Sequence, residues 1–267
     1  MSASLAVAAT GLRALRRSIV GWSIGLAGLI AATVAFWPAF KGASGISAAI
    51  DALPAGVVSA FGLQDFGSPA GFLRGNLYEL FVPLLLVIAG AAFVSGQTAG
   101  DERAGRLELF LSQPIARGRL YVARAVAALA ALAGVAIIAL VVQLAMDGLM
   151  GLGIDAGLVI STLALCALLA ALHASLAYAI ACVRPASALA IGGAVGVALA
   201  GYVVNALFPL VAELRSLVGI SPWQWALGGD PLVHPAEPWR YVALLLPTIV
   251  LVVLGTVAIR RRDIAAA

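Results

Sequence analysis

Six long apolar runs constrain this chain more than any other feature of its sequence. Each has about twenty residues with few or no charges, the length that a helix needs to cross a hydrocarbon core of about 30 Å. Because unpaired backbone amides are costly in lipid, and because no alternating barrel pattern is present, these runs are predicted to be helices. The predicted spans are 18–40, 78–100, 120–146, 156–183, 186–210 and 241–259.

The composition favours the same fold class. The chain has 267 residues, of which 63% are hydrophobic and 10% are charged, whereas soluble domains carry about 25% charged residues. We therefore predict an all-α polytopic membrane protein in which residues 1–267 form a single transmembrane domain. The first run ends in Phe36, Trp37 and Pro38 rather than in a small-residue cleavage site, so it is expected to be an uncleaved span and not a signal peptide.

The basic residues predict the orientation of the chain. Six spans place both termini on one side, and 12 of the 16 basic residues fall on that side. The positive-inside rule then makes both termini cytoplasmic and indicates a multi-pass protein of the inner (plasma) membrane. The positive charge is interpreted as topology and attraction to anionic lipid headgroups. It is spread over four separate segments, which argues against nucleic acid as a partner.

Residues 2–17 precede the first predicted span and end in a basic group that contains Arg13, Arg16 and Arg17. Together with Leu12 and Leu15, these residues suit an N-terminal interfacial helix that lies on the inner membrane surface. A basic flank that only sets the orientation of the chain is an equally open interpretation.

The segments on the outer side are longer and richer in proline and aromatic residues. Residues 41–79 are predicted to form short helices on the outer membrane surface. After the fifth span, five prolines between 209 and 238 exclude one continuous helix. Trp223, Trp225, Trp239 and Tyr241 lie in this region and are predicted to form an aromatic belt at the interface.

The chain lacks the residues that several classes of enzyme require. Its only lysine, Lys41, follows Phe40 and precedes Gly42, so no phosphate-binding loop that ends in Gly-Lys-Ser or Gly-Lys-Thr is possible. The two histidines, His173 and His234, lie far apart and have no metal-ligand partner at useful spacing. We predict no catalytic residue, no metal and no cofactor on this chain, and His173 is expected to be a hydrogen-bonded packing residue.

Ionisable residues are nearly absent from the predicted spans. Their interiors offer Gln143, His173 and Asn205, while Glu79 is expected at the outer interface. Ion-coupled transporters usually carry ionisable groups at mid-membrane depth, so this pattern disfavours ion coupling. It favours a hydrophobic or amphipathic cargo if the protein transports anything.

One charged segment separates the second and third spans. Glu102 and Arg106 are four residues apart in the favourable acid-before-base order, and Leu107, Phe110 and Leu111 form an apolar stripe. We predict a cytoplasmic amphipathic helix over 101–113, ended by Pro114. The pattern alone leaves two interpretations open: a helix that transmits movement, or an interfacial turn without a partner.

This segment, "GDERAGRLELFLSQPIARGRLYVAR", closely resembles the inner loop between the second and third spans of ABC-2 type ABC transporter permeases. The family pattern is E-x-x-x-G-x-L-E-L-x-L-x-x-P-[IV]-x-R, and its places are taken here by Glu102, Arg106, Leu107, Glu108, Leu109, Leu111, Pro114, Ile115 and Arg117. The match departs at the glycine, because Gly105 is three positions after Glu102 rather than four, which makes Asp101 the alternative match to the acidic residue. "LPAGVVSAFGL", "SPWQWALGGDPL" and "RRRDIAAA" look similar to the same family, so the resemblance covers nearly the whole chain.

The resemblance implies the permease subunit of an ATP-driven exporter. Such a subunit pairs with a second permease copy, here expected as a homodimer, and docks on two cytoplasmic ABC ATPase subunits that hold the ATP and magnesium. The loop between spans two and three would be the coupling helix. The ATPase-coupling residues are then Glu102, Arg106, Leu107, Glu108, Phe110 and Leu111. A structural or signalling membrane protein and a membrane-embedded enzyme remain the alternatives.

Overall fold

The computed structural model describes residues 3–41, 45, 49–50, 52–60, 63, 65–103 and 116–262. Within those ranges the chain forms helices and turns, with no β-strand. Six helical segments are long and apolar enough to cross a membrane, which confirms the predicted all-α class with six spans. They are Ala6–Lys41, Pro69–Gly100, Arg117–Met150, Ala156–Val183, Ser187–Leu210 and Pro238–Arg261.

The α-helices of the described ranges are numbered in chain order. They are α1 Ala3–Ala35, α2 Trp37–Lys41, α3 Ala55–Ala60, α4 Pro69–Leu73, α5 Phe81–Ser95, α6 Asp101–Arg103, α7 Arg117–Met150, α8 Ala156–Val183, α9 Ser187–Leu207, α10 Pro222–Leu227 and α11 Pro238–Arg261. Two π-helical turns, Arg74–Tyr78 and Gly96–Gly100, flank α5, and two 3₁₀ turns, Phe208–Leu210 and Arg215–Ile220, follow α9.

The first helix differs from the sequence prediction. Instead of an interfacial helix followed by a separate span, α1 is one continuous helix of 33 residues. Such a helix is about 50 Å long, which exceeds the hydrocarbon core by about 20 Å. The residues predicted to lie flat on the membrane contain good helix formers and no proline, so nothing in them ends the helix before the span.

The second membrane segment starts earlier than the predicted span 78–100. Helix α4 begins at Pro69, where the Ser68 hydroxyl accepts a hydrogen bond from the Gly71 amide at 3.0 Å. This is an N-cap with proline in the first turn, a combination that favours a helix start. The path continues through a π-helical turn into α5, so the apolar run alone marked only part of the segment.

Helix α8 lies at the centre of the bundle and packs against α5, α7, α9, α10 and α11, while α1 packs along α7. Close approach is possible where one helix presents glycine. A Cβ at Gly255 of α11 would lie 2.9 Å from ring carbons of Tyr178 on α8. Likewise, a Cβ at Gly90 of α5 would lie 3.0 Å from the Cβ of Ala174. These contacts fix the second, fourth and sixth segments against one another.

The two ends of the bundle have different structures. The end that holds Gly11, Gly118 and Arg262 is called the terminal face, because α1 begins there and α11 ends there. The other end is called the opposite face. There the chain after α9 breaks into short helices, as its prolines predicted.

The predicted aromatic belt is wrong for Trp223, which is fully buried inside the bundle. Its ring lies 5.9 Å from that of Tyr202 on α9 and 6.3 Å from that of His173 on α8. Ser221 caps α10 by accepting from the Trp223 amide at 3.1 Å, and its hydroxyl donates to the Gly201 carbonyl at 2.7 Å. The short helix α10 therefore folds inward and fills the core with its tryptophan, whereas Trp239 is exposed.

Candidate functional site

The charged segment between the second and third spans begins in α6, at the terminal face. The structure describes Glu102 of the predicted coupling residues, and the predicted helix 101–113 is described over Asp101–Arg103, which is helical. The remaining predicted residues lie outside the described ranges: Arg106, Leu107, Glu108, Phe110 and Leu111.

The Glu102 carboxylate points towards the helix bundle. Arg262 Nη2 donates to Oε1 and Oε2, each at 2.5 Å, and the Tyr121 hydroxyl donates to Oε2 at 3.1 Å. The Glu102 side chain is 14% exposed and the Arg262 side chain is 17% exposed. A charge-assisted pair of this kind is short and directional, especially where little water reaches it. Glu102 thus links α6 to α7 and to the end of α11.

Arg262 also contacts the fourth span. Its Nη1 donates to the carbonyl oxygens of Ala181 and Cys182 at 3.3 and 3.1 Å, in the last turn of α8. The carbonyls of a last helical turn have no partner within the helix and carry partial negative charge, so a guanidinium is favourable there. Through one arginine, the start of the charged segment is therefore connected to both α8 and α11.

A second ion pair holds the preceding residue. Arg124 Nη1 lies 2.9 Å from Asp101 Oδ2 and donates to the Gln97 carbonyl at 2.5 Å. Arg124 is only 3% exposed, although its sequence position suggested a basic residue flanking the membrane. Gln97 belongs to the π-helical turn Gly96–Gly100, whose irregular backbone leaves carbonyl groups for other donors. Arg124 therefore stabilises both the turn and the start of α6.

The amino-terminal helix reaches the same turn. A Cβ at Gly11 of α1 would lie 2.4 Å from Gln97 Oε1, so a larger residue there would require the Gln97 side chain to move. A cavity of about 40 Å³ lies here, lined in part by Thr10, Gly11 and Gln97. Among the described residues, the buried Gln97 side-chain amide has no hydrogen-bond partner, and a cavity of this size has room for water to bond to it. One face of the residues before the first span, which includes Val7, Gly11 and Leu15, thus packs against protein, whereas Arg13 and Arg16 are exposed.

Six residues together form what we call the anchor cluster: Gln97, Asp101, Glu102, Tyr121, Arg124 and Arg262. Two carboxylates are neutralised by two arginines, and the bonds join α6 to α7, α8 and α11. No group of three or more histidine, cysteine, aspartate or glutamate side chains that could hold a metal occurs in the part of the chain that the structure describes. The geometry suits a mechanical connection between a loop and several membrane helices.

The sequence matches the family described as ABC-2 family transporter protein over residues 5–222. The chain belongs to the ABC-2 transporter family. It is a membrane permease of an ABC transporter, a type of subunit that is not itself the ATPase and that generally works with an ATPase subunit. The family match includes five residues of the anchor cluster, and Arg262 lies beyond it. No curated protein sequence matches the chain.

The opposite face of this ABC-2 permease contains a break in the second membrane segment. Pro83 has no N–H to donate to the carbonyl of Glu79, four residues earlier. The indole Nε1 of Trp223 donates to that carbonyl instead, at 3.1 Å. Leu80 has the non-helical dihedrals φ −138° and ψ −53° at the same place. A proline in the second segment and a tryptophan from α10 therefore form one structural unit.

Sequence reasoning found the charged segment of the permease but missed the partners of its first residues. Arg124 and Arg262 were counted only among the basic residues on the side of the termini, and Tyr121 was not singled out. One signal was available for Arg124, which lies inside the predicted span 120–146, where an unpaired charge is costly. His173 is buried, with Nδ1 donating to the Leu169 carbonyl at 2.8 Å, which confirms the predicted packing role.

Proposed function

We propose that this chain is the permease subunit of an ATP-driven exporter that is coupled to a separate ATPase through residues 101–113. The observation that carries the proposal is the anchor cluster. It fastens the first two residues of that segment, Asp101 and Glu102, to helices α7, α8 and α11. A force applied to the segment by a docked ATPase reaches several membrane helices at once because ion pairs and buried hydrogen bonds connect them.

In this proposal the segment has two functional parts. Asp101 and Glu102 hold it to the membrane domain, while Leu107, Phe110 and Leu111 supply apolar contacts to the ATPase, with Arg106 and Glu108 on the polar rim. The inward direction of the Glu102 carboxylate supports a positioning role for this residue in addition to its predicted place on the rim. ATP and magnesium are held by the partner. This agrees with the sequence, whose single lysine, Lys41, does not belong to a phosphate-binding loop.

The cargo is proposed to pass between two copies of the permease, along the second and fifth segments. Glycines on α1 and α9 support pairing of two copies. Gly21 and Gly25 on α1, and Gly192 and Gly196 on α9, have open space where a Cβ would be. Small residues at such spacing allow close approach of membrane helices. The apolar segments between the two faces favour a hydrophobic or amphipathic cargo such as a drug, antibiotic or lipid.

Co-purification tests the central claim. The permease, expressed together with a candidate ABC ATPase, is expected to bring down that ATPase, and vesicles that contain both are expected to move an amphipathic cargo with ATP. A permease that purifies without any nucleotide-binding subunit would favour the structural or signalling alternative. Transport restricted to hydrophilic solutes would contradict the proposed cargo class.

Two variants test the coupling helix directly. Phe110→Asp and Glu108→Arg are each expected to leave membrane insertion intact while weakening ATPase capture and transport-coupled hydrolysis. Glu213→Arg is the matched control because it reverses the charge of an exposed carboxylate near the opposite face. If both coupling variants capture the ATPase and hydrolyse ATP as the unmodified chain does, residues 101–113 are not the docking helix.

A further inference from the structure

The opposite face contains a cavity of about 470 Å³ that the proposed coupling does not use. Its wall is formed by the second membrane segment, by the end of α9 and by residues 224–234. Binding sites for small molecules usually have volumes of about 300–1,000 Å³. The lining combines charged and polar side chains, including Glu79 and Asn205, with the apolar Leu227 and Pro209.

The charges in this cavity are unequal. Arg74 forms an ion pair with Asp230, so that carboxylate is already neutralised. Asp230 is held in place by a tight turn in which Gly229 has φ +77° and Asp230 has φ +55°, a backbone conformation that aspartate tolerates better than most residues. The carboxylate of Glu79 forms no hydrogen bond or ion pair with the residues that the structure describes. The Glu79 carboxyl group therefore lines the cavity beside the ion pair of Arg74 and Asp230, without a direct bond to either of them.

The position of Glu79 is built into the fold. The π-helical turn Arg74–Tyr78 comes directly before it, and the break imposed by Pro83 comes after it. The indole of Trp223 holds its backbone carbonyl. Irregular turns of this kind recur at functional sites in helices, and an ionisable residue inside a membrane segment is a functional candidate by default. Several independent restraints thus present this carboxylate at the cavity wall.

We propose that the cavity binds the positively charged group of an amphipathic organic cation, with the Glu79 carboxylate as its counter-ion. The apolar part of the molecule lies against Leu227 and Pro209. The amphipathic class of the cargo rests on the proposed function. The present inference adds the sign of the charge that the cargo carries. A cation is favoured over an anion because Asp230 already pairs with Arg74, whereas the Glu79 carboxyl group lines the cavity and can ionise against a bound cation.

Binding of two ions of nearly equal shape and opposite charge tests the proposal. Purified permease in lipid nanodiscs, without any ATPase, is titrated with tetraphenylphosphonium and with tetraphenylborate, and the signal of empty nanodiscs is subtracted. Saturable binding of the phosphonium is expected, with no saturable binding of the borate. Equal binding of both ions would overturn the proposal, as would the absence of phosphonium binding.

Variants then assign the binding to one carboxylate. Glu79→Gln is expected to weaken phosphonium binding on the order of tenfold, because it removes a charge close to the ligand in a partly desolvated site. Glu79→Asp, which keeps the charge, is expected to retain most of the affinity. Glu213→Gln is the matched control, since it removes an exposed carboxylate outside the cavity and is expected to change nothing.

Thermal unfolding of each variant separates binding from folding. If Glu79→Gln unfolds at the same temperature as the unmodified chain and binds the phosphonium equally well, Glu79 is not the counter-ion. The titration needs no ATPase, so its result decides the cation-site proposal by itself. A failure of ATPase co-purification would contradict only the exporter proposal. Conversely, ATPase capture without phosphonium binding would overturn the cation site alone.

Discussion

The hydrogen bond that Trp223 donates to the Glu79 carbonyl leads to a prediction about two residues that are distant in sequence, Trp223 and Pro83. Trp223→Phe keeps most of the buried ring but removes the Nε1–H donor, which lies 3.1 Å from the carbonyl oxygen. Because Pro83 offers no N–H, no helical donor replaces it. The carbonyl is only partly buried, so we expect its loss of a partner to lower the free energy of unfolding by about 1–2 kcal/mol, the lower part of the range for unsatisfied buried groups.

The mechanism is tested by restoring the missing backbone donor. Pro83→Ala gives residue 83 an N–H that can bond to the Glu79 carbonyl, as in a regular helix. In that background Trp223→Phe is expected to cost less by about 1 kcal/mol or more, since the carbonyl has a second partner. The coupling between the two substitutions, measured in a double-mutant cycle, is the quantity of interest.

Equilibrium unfolding in mixed micelles, followed by circular dichroism, supplies the four free energies of the cycle. Trp225→Phe is the matched control, because its indole donates to the exposed Gly219 carbonyl, which water can reach after the substitution. We expect that control to cost about 0.5 kcal/mol or less. An equal cost of Trp223→Phe with and without Pro83 would refute the idea that the tryptophan replaces a helical donor.

Three further predictions concern the terminal face and the helix contacts. Arg262→Ala is expected to reduce ATP hydrolysis coupled to transport while leaving membrane insertion intact, because it breaks the ion pair that holds the Glu102 carboxylate. Arg261 is the neighbouring, exposed residue, and Arg261→Ala is the control in the same vesicle assay. Gly255→Val is expected to destabilise the protomer by about 1–3 kcal/mol through overpacking against α8, measured by unfolding. Gly192→Val, with open space around it, is expected to leave the protomer stable and to weaken pairing of two copies in a cross-linking assay.

The membrane helices were predictable because their signal is local. An apolar run of about twenty residues specifies a helix without reference to any other part of the chain. Starts and ends were less predictable, because caps and irregular turns determine them. The Ser68 cap and the π-helical turn Arg74–Tyr78 extend the second segment beyond its apolar run. The absence of a helix breaker after Ala3 merges the predicted interfacial helix with the first span.

The residues around the charged segment were harder to predict because their partners are distant in sequence. Glu102 and Arg262 are 160 positions apart, and no local pattern pairs them. A count of positive charges treats every arginine of the terminal face alike, yet Arg124 is buried and Arg261 is exposed. Topology therefore follows from the number of basic residues, whereas their roles follow from the three-dimensional contacts of each one.

The second membrane segment connects the two proposals physically. It is irregular at both ends: Glu79 follows one π-helical turn at the cavity, and Gln97 lies in the other at the anchor cluster. Between them α5 is regular over 15 residues, about 22 Å, and packs closely on α8 through Gly90. We therefore expect a displacement at one turn to be passed along α5 to the other, a coupling that substitutions at both turns would measure. If a cation at Glu79 shifts this helix, we expect the bonds of Arg124 to the Gln97 carbonyl and to Asp101 to change at the terminal face.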